Sequence, residues 1–368
     1  MTRVTAAVVH EKEQPFSIEE LELEEPRIDE VLVRVRGAGV CHTDLICRDQ
    51  WYPVPLPAVL GHEGSGVVER VGEGVTNVGP GDHVVLSFNH CGYCVNCLAG
   101  RPAYCLTFFE RNFGGSRPDG SSALSANGEA VHSHFFGQSS FATHALAAEN
   151  SVVKVPEDAP LELLGPLGCG VQTGAGAVLN ALRPEPGSSF AVFGTGAVGL
   201  SAVMAAVVSG CTTIIGIDVN PIRLELCERE LGSTHTVNSA EQDAGEEIGK
   251  ITGGGVAYSL DTTGVPEVFR QAVESLAPLG TCGVVGAPPI GTEAALDMND
   301  IMIPGKTVRG IVEGDAVPDI FIPLLIDLYA KGRFPFDRLV KFYDLDQINE
   351  AAGGAEEGNT LKPVLRMG

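Results

Sequence analysis

The stretch Phe190-Ala-Val-Phe193-Gly194-Thr-Gly196-Ala-Val-Gly199 joins a β-like apolar run to a turn with glycine at its first, third and sixth positions. Alone, G-x-G-x-x-G is a weak signal, because glycine-rich turns are common. Here it leaves a strand, opens a helix predicted over 198–209, and is followed by a strand over 213–217. Asp218 closes that strand, nineteen residues after Gly199. This is the context that a dinucleotide-binding turn requires. The glycines permit a tight turn and close backbone approach, and the helix N-terminus offers bare N–H groups to a pyrophosphate. Asp218 can accept hydrogen bonds from both hydroxyls of an adenosine ribose and would repel a 2′-phosphate, which favours NAD over NADP.

Working outward, the same rhythm continues. A helix is expected over 221–231 with Pro221 in its first turn, strands over 256–260 and 281–285, and a helix over 267–277 between them. Strand and helix in alternation predict an α/β unit with a doubly wound parallel sheet. Upstream the chain changes character. Short β-like runs at 31–36, 66–71 and 83–86, with the turn Gly79-Pro-Gly-Asp82 between the last two, predict a small, strongly bent β-rich unit. The acid–Leu alternation from Glu19 to Glu25 reads as a solvated strand, and 321–331 reads as a helix in a mixed tail. The expected organisation is residues 1–170 as the β-rich part, with a separate lobe at 90–106, then 171–312 as the dinucleotide domain, and 313–368 returning to the first part.

At 368 residues the chain suits two domains of ordinary size. Its 47 acidic against 24 basic residues give a net charge of −23, a surface that repels phosphate backbones and anionic lipid. Nucleic acid and membrane are therefore not expected partners. Residues 187–217 carry no charge and are long enough to span a bilayer, but six glycines break them into strand, helix and strand. The first ten residues lack the basic start and long apolar run of a secretory signal, so a cytoplasmic protein is expected.

In such a compartment ten cysteines point to metal or catalysis more than to disulfides. Cys91-x₂-Cys94-x₂-Cys97-x₇-Cys105 places four soft ligands within fifteen residues, as a closed, tetrahedral, structural zinc site needs. An iron–sulfur cluster uses similar spacing and stays open as an alternative. The remaining chemistry-bearing pieces are dispersed: Cys41-His42-Thr43-Asp44, Gly61-His62-Glu63 and Gly168-Cys169-Gly170. No spacing rule assembles them.

In order and wording, these pieces resemble the zinc-containing medium-chain alcohol dehydrogenase family. Gly39-Val-Cys41-His-Thr43-Asp44, Gly61-His62-Glu63-Gly-Ser-Gly66, the four-cysteine lobe, Cys169-Gly-Val-Gln-Thr173-Gly and the Gly194 turn all match, through Leu361-Lys362-Pro363 near the end. The resemblance implies a GroES-like catalytic domain built from both ends of the chain around a Rossmann domain. It implies two zinc ions per chain: a catalytic one on Cys41, His62 and Cys169, with Glu63 as a transient ligand, and a structural one on Cys91, Cys94, Cys97 and Cys105. Asp44 would orient His62 and Thr43 would carry the alcohol's proton. Thr173 would touch the nicotinamide, Arg223 the adenosine ribose, and His42 and Lys362 the cofactor phosphates, with Gly194, Gly196, Gly199 and Asp218 completing the NAD site.

Many members carry histidine five residues after the first zinc-ligand cysteine, as the outer end of a proton relay; here Ile46 stands there. The chain looks most like the aryl- and allylic-alcohol branch, typified by benzyl alcohol dehydrogenases, with Trp51, Tyr52, Phe88, Phe135 and Phe136 as candidate wall residues of an apolar pocket. The alternatives are a general alkyl alcohol dehydrogenase, or oxidation of S-(hydroxymethyl)glutathione, for which Arg111 and Arg117 are the available charges. A non-catalytic zinc- and nucleotide-binding relative would be expected to lack a ligand at the open zinc site, and none is missing. Residues 299–312 look like the outer strands through which relatives pair, so a homodimer or homotetramer is expected.

Overall fold

The computed structural model describes residues Met1–Gly368 and divides into two compact units. The second comprises Gly170–Ala316 and Asp327–Phe336. Its core is a six-stranded sheet, parallel throughout, that runs in the order His235–Asn238, Thr213–Asp218, Ser189–Phe193, Val256–Asp261, Leu276–Val284 and Thr307–Gly310. With strands numbered along the chain this is 3-2-1-4-5-6, the Rossmann order, whose direction of winding reverses beside Ser189–Phe193. Ala191, Phe193, Ile215 and Ile217 are fully or almost fully buried, as near-continuous apolar strands between helices must be.

Gly194 takes φ +89°, a left-handed position that suits glycine. At Gly199 a Cβ would lie 1.9 Å from the Gly194 carbonyl, so no larger residue fits where helix Ala197–Ser209 meets the turn. The helix ends at Gly210, φ +82°.

The first unit comprises Met1–Cys169, Val317–Ile326 and Asp337–Gly368. It holds a five-stranded and a seven-stranded sheet; the last strand, Lys362–Arg366, pairs antiparallel with Glu30–Gly39 and so ties the chain's two ends together. The sequence reading gave all of 313–368 to this unit. In the structure 313–316 and 327–336 cluster with the dinucleotide unit instead. The physical reason at 314 is contact: Gly314 lies so close to Gly176 that a Cβ on either would meet the other's backbone within 3 Å. The 299–312 segment also differs from two strands: Met298–Met302 is a helix, its start capped by Asp297, and only Thr307–Gly310 joins the sheet, as its exposed edge. No helix is long and apolar enough to cross a membrane.

Candidate active site and zinc-ligand clusters

Cys41 ends the loop that precedes the short helix His42–Arg48, and the first turn of that helix carries Asp44 inward, fully buried. Asp44 is held by the backbone it organises: its carboxylate accepts from the N–H groups of Cys41 at 2.9 Å and Gly61 at 3.1 Å. The third partner is His62, whose Nδ1 lies 2.8 Å from Asp44 Oδ1. A carboxylate only accepts, so the imidazole proton sits on Nδ1 and the Nε2 lone pair is left facing the site. His62 Nε2 is buried and has no hydrogen-bond partner. Around it stand Cys41, Cys169 and Glu63, with one ligand atom from each of the four residues lying within 4.8 Å of the others. An orphaned imidazole nitrogen beside two buried thiols fits a zinc ion with an open position, as catalytic sites require.

The sulfur chemistry agrees. A hydrogen bond from Cys169 holds the Cys41 thiol well below its usual range, against the opposing effect of burial, and the Lys362 charge adds to the shift. Lys362 Nζ lies 2.9 and 3.0 Å from the two Glu63 oxygens, both side chains buried. Burial disfavours that ammonium, but Glu63 outweighs it and keeps Lys362 protonated. The sequence reading assigned Lys362 to cofactor phosphates, whereas the structure seats its ammonium against Glu63. Gly39 makes room for the pair, since a Cβ there would lie 2.0 Å from Glu63 Oε2. Thr43 Oγ1 lies 3.9 Å from Cys41 Sγ. His42 is exposed, its ring 6.3 Å from that of Trp51.

Because Asp44 fixes both the tautomer and the direction of His62, Asp44→Asn should lower metal affinity or turnover roughly 10- to 100-fold. Competition with a chelator, followed by metal analysis, measures it.

The second cluster is closed. Cys94 and Cys97 sulfurs are 3.5 Å apart and Cys91 and Cys97 3.8 Å, near the ~3.8 Å edge of a tetrahedron with 2.3 Å Zn–S bonds. Backbone N–H groups of Cys91 and Cys94 donate to Cys105 and Cys91 sulfurs at 3.3 and 3.2 Å. With all four sulfurs within 4.8 Å, the lobe fits a single ion, which disfavours the cluster alternative.

In the dinucleotide unit, Asp218 Oδ2 accepts from the Thr195 backbone and hydroxyl at 2.6 and 2.9 Å, and Oδ1 from the Asn220 N–H at 2.9 Å. Three of the carboxylate's roughly four acceptor directions are thus used to brace the turn, one fewer for a ligand than two ribose hydroxyls need. Arg223 lies 3.9 Å from Asp218, and its Nε is buried without a partner. A Cβ at Gly196 would meet nothing, so the turn leaves room for a phosphate. This loop, the capped strand ends and the parallel sheet together fit a dinucleotide.

Of the candidate wall residues, Tyr52, Phe88, Phe135 and Phe136 form one aromatic cluster with His62, whereas Trp51 is exposed and packs against His42 instead. Phe136 packs at 4.5 Å and Phe135 at 5.5 Å from the imidazole; Phe113 bridges both to Tyr52 at 5.7 Å. Phe88 is fully buried and reaches the cluster through Phe108. The sequence reading missed Phe108, Phe109 and Phe113, although Phe108-Phe-Glu-Arg-Asn-Phe113 follows the last lobe cysteine closely. Arg117 is not available to a ligand in the way that the glutathione alternative needs: it is buried and bonded to Glu30 and Glu24.

An open His-Cys-Cys metal site, a closed four-cysteine lobe and a Rossmann unit define a zinc-dependent oxidoreductase. The chain belongs to the zinc-binding alcohol dehydrogenase family: residues 27–157 match the alcohol dehydrogenase GroES-like domain and 197–331 the zinc-binding dehydrogenase domain. It is 51% identical over 362 residues to geraniol dehydrogenase of Castellaniella defragrans, covering 98% of this chain and 96% of that one. The structure of benzyl alcohol dehydrogenase from Acinetobacter calcoaceticus superposes with TM-score 0.97 at 53% identity, covering all of both chains. An alcohol dehydrogenase zinc-binding domain protein from Burkholderia ambifaria gives 0.98 at 60%, covering all of this chain and 99% of that one.

Proposed function

We propose that the protein oxidises primary aryl and allylic alcohols, of the benzyl alcohol and geraniol type, reversibly to aldehydes with NAD⁺. The observation that carries the substrate class is the aromatic cluster that runs from Tyr52 through Phe113 to Phe135 and Phe136 on the face of His62. Phe113, Phe135 and Phe136 are themselves almost fully buried, so the cluster backs the metal position with apolar, aromatic surroundings, which suit a flat, apolar alcohol better than a charged one. The relatives named for geraniol and benzyl alcohol support the same class. NAD⁺ is favoured over its 2′-phosphorylated form by the Asp218 carboxylate at the end of the second strand.

Cys41, His62 and Cys169 would hold the zinc, and Asp44 keeps the His62 lone pair turned toward it. Bound zinc lowers the pKa of a coordinated hydroxyl toward neutrality, and bound NAD⁺ takes the hydride that no side chain here can accept. Thr43, beside Cys41, would relay the alcohol's proton: Oγ1 accepts it while its own O–H passes a proton on toward solvent. Glu63 and Lys362 neutralise one another and hold a second carboxylate near the metal position without adding net charge. The four lobe cysteines pin residues 91–105 and take no part in the chemistry. The exposed edge strand Thr307–Gly310, with Met302 and Ile303 also exposed, would pair with a second copy.

Initial rates of NAD⁺ reduction test this reading. kcat/KM for benzyl alcohol and geraniol is expected at least about tenfold above that for hexanol, some 1.4 kcal/mol of transition-state preference. Faster turnover of formaldehyde with glutathione would move the protein to the other branch. Position 46 offers a separate check. Ile46 is buried in helix His42–Arg48 and cannot carry a proton. Ile46→His is expected to add an inflection from the new imidazole to the pH–rate profile; an unchanged profile would show that the proton leaves by another route.

A further inference from the structure

Glu313 is an acid that neither the sequence motifs nor the zinc chemistry uses, and it sits in the dinucleotide unit against Thr173. It follows the edge strand Thr307–Gly310 and is 9% exposed. Its Oε2 accepts from Gln172 Nε2 at 3.3 Å and lies 3.5 Å from Thr173 Oγ1. The backbone that presents it is unusual. Glu313, Gly314 and Asp315 take φ +48°, +65° and +51°, three successive left-handed residues, of which only one is glycine. Left-handed non-glycine residues persist where neighbouring structure over-determines them, and they concentrate at binding sites.

The neighbours that hold this turn are specific. A Cβ on Gly314 would lie 2.4 Å from the Gln172 carbonyl, 2.9 Å from Gly176 Cα and 3.0 Å from the Thr173 carbonyl, so the turn is pressed flat onto helix Gly170–Gly176. Asn180 Nδ2 donates to the Gly314 carbonyl at 3.1 Å. On the outer side Arg309 pairs with Asp315 and donates to the Ala181 carbonyl. The strained turn thus sets the Glu313 carboxylate against the Gln172 amide and the Thr173 hydroxyl.

We propose that Glu313 is a positioning residue for the nicotinamide end of the dinucleotide site: it fixes Thr173 and biases the site toward the oxidised cofactor. The proposal rests on the reading of Thr173 as a nicotinamide contact. The physical ground is charge. The nicotinamide ring is cationic in NAD⁺ and neutral in NADH, and a carboxylate in a buried, low-dielectric setting discriminates between them. Adenosine, ribose and pyrophosphate are the same in both forms and cancel in the comparison.

Calorimetric Kd values for NAD⁺, NADH and ADP-ribose, measured on the zinc-loaded enzyme without alcohol, test this. Glu313→Gln keeps shape and hydrogen-bonding reach but removes the charge. It is expected to weaken NAD⁺ about tenfold while NADH and ADP-ribose change less than about threefold. Glu313→Asp keeps the charge and should restore the NAD⁺-to-NADH preference to within about threefold of wild type. Equal weakening of all three ligands would assign Glu313 a structural role only and overturn the proposal, as would no change in any. If the wild-type protein binds neither NAD⁺ nor NADH, the cofactor reading itself falls and the proposal with it. If it binds both and Glu313→Gln shifts them alike, only the proposal falls.

Discussion

Cys41→Ser is expected to lower kcat/KM for alcohol oxidation by roughly a thousandfold or more, about 4 kcal/mol of transition-state stabilisation, because the open metal site would lose one of three anchoring ligands. The structure explains why nothing nearby would compensate. His62 cannot swing toward a new arrangement, since Asp44 grips its Nδ1 and is itself held by the Cys41 and Gly61 backbone. Glu63 is the remaining candidate ligand, and its two oxygens are engaged by Lys362. Metal analysis should fall from two zinc ions per chain toward one, the survivor residing in the four-cysteine lobe. Dinucleotide affinity should be retained, because the Gly194 turn and Asp218 belong to the second compact unit and Cys41 to the first. Loss of NAD⁺ binding together with the metal would show that the change had unfolded the protein, and full activity would remove Cys41 from the site.

The second large effect concerns stability. Arg117→Met should destabilise the protein by about 3–5 kcal/mol, the cost of leaving a buried charge without its partner. Arg117 makes a two-pronged pair with Glu30, at 2.6 and 3.0 Å, and a further bond to Glu24 at 2.7 Å. Both Arg117 and Glu30 are almost fully buried. Methionine keeps the aliphatic stem, so the loss measured is chiefly electrostatic. Pairing it with Glu30→Gln should recover much of the stability, since the buried carboxylate that had lost its guanidinium would then be gone. Denaturant midpoints of the two single variants and the double variant give the coupling directly.

Glu30 also makes a pH prediction. Burial alone would raise its pKa, but hydrogen bonds from His134 and Arg117, and from the Arg27 backbone, overcome that and hold it far below the ordinary 4.5. A carboxyl depressed in the folded state contributes stability that is fully present above about 4.5 and is lost as pH falls below it. Wild type should therefore lose stability more steeply than Glu30→Gln between pH 5 and pH 3, a window taken from that shift. The network matters to the site as well as to the fold. His134, bonded to Glu30 at 3.0 Å and left-handed at φ +63°, directly precedes the two phenylalanines that face His62. Weakened aromatic-alcohol binding in Arg117→Met would be the signature of that link.

The sequence alone settled those parts of the molecule whose physics is local. Glycine at 194, 196 and 199 between an apolar strand and a helix permits a tight turn that a phosphate can approach, because backbone conformation and Cβ clashes are decided within a few residues. The Cys91–Cys105 lobe was equally legible, since four thiolates within fifteen residues can close on one ion without help from the rest of the chain. Cys41, His62 and Cys169 are different. A helix and a loop separate Cys41 from His62, Cys169 lies far along the chain from both, and only their resemblance to a known family joined them before the fold did.

Tertiary structure decided what depends on who is buried beside whom. Lys362, near the end of the chain, reaches Glu63 because Lys362–Arg366 pairs with Glu30–Gly39. Arg117, a plausible surface charge in sequence, is locked inside by Glu30. Glu313 meets Thr173, 140 positions away, through a turn that no residue pattern announces. Local propensity and spacing fix short-range geometry; the partner of a buried charge is set by the topology that brings distant segments together, and desolvation makes that pairing obligatory.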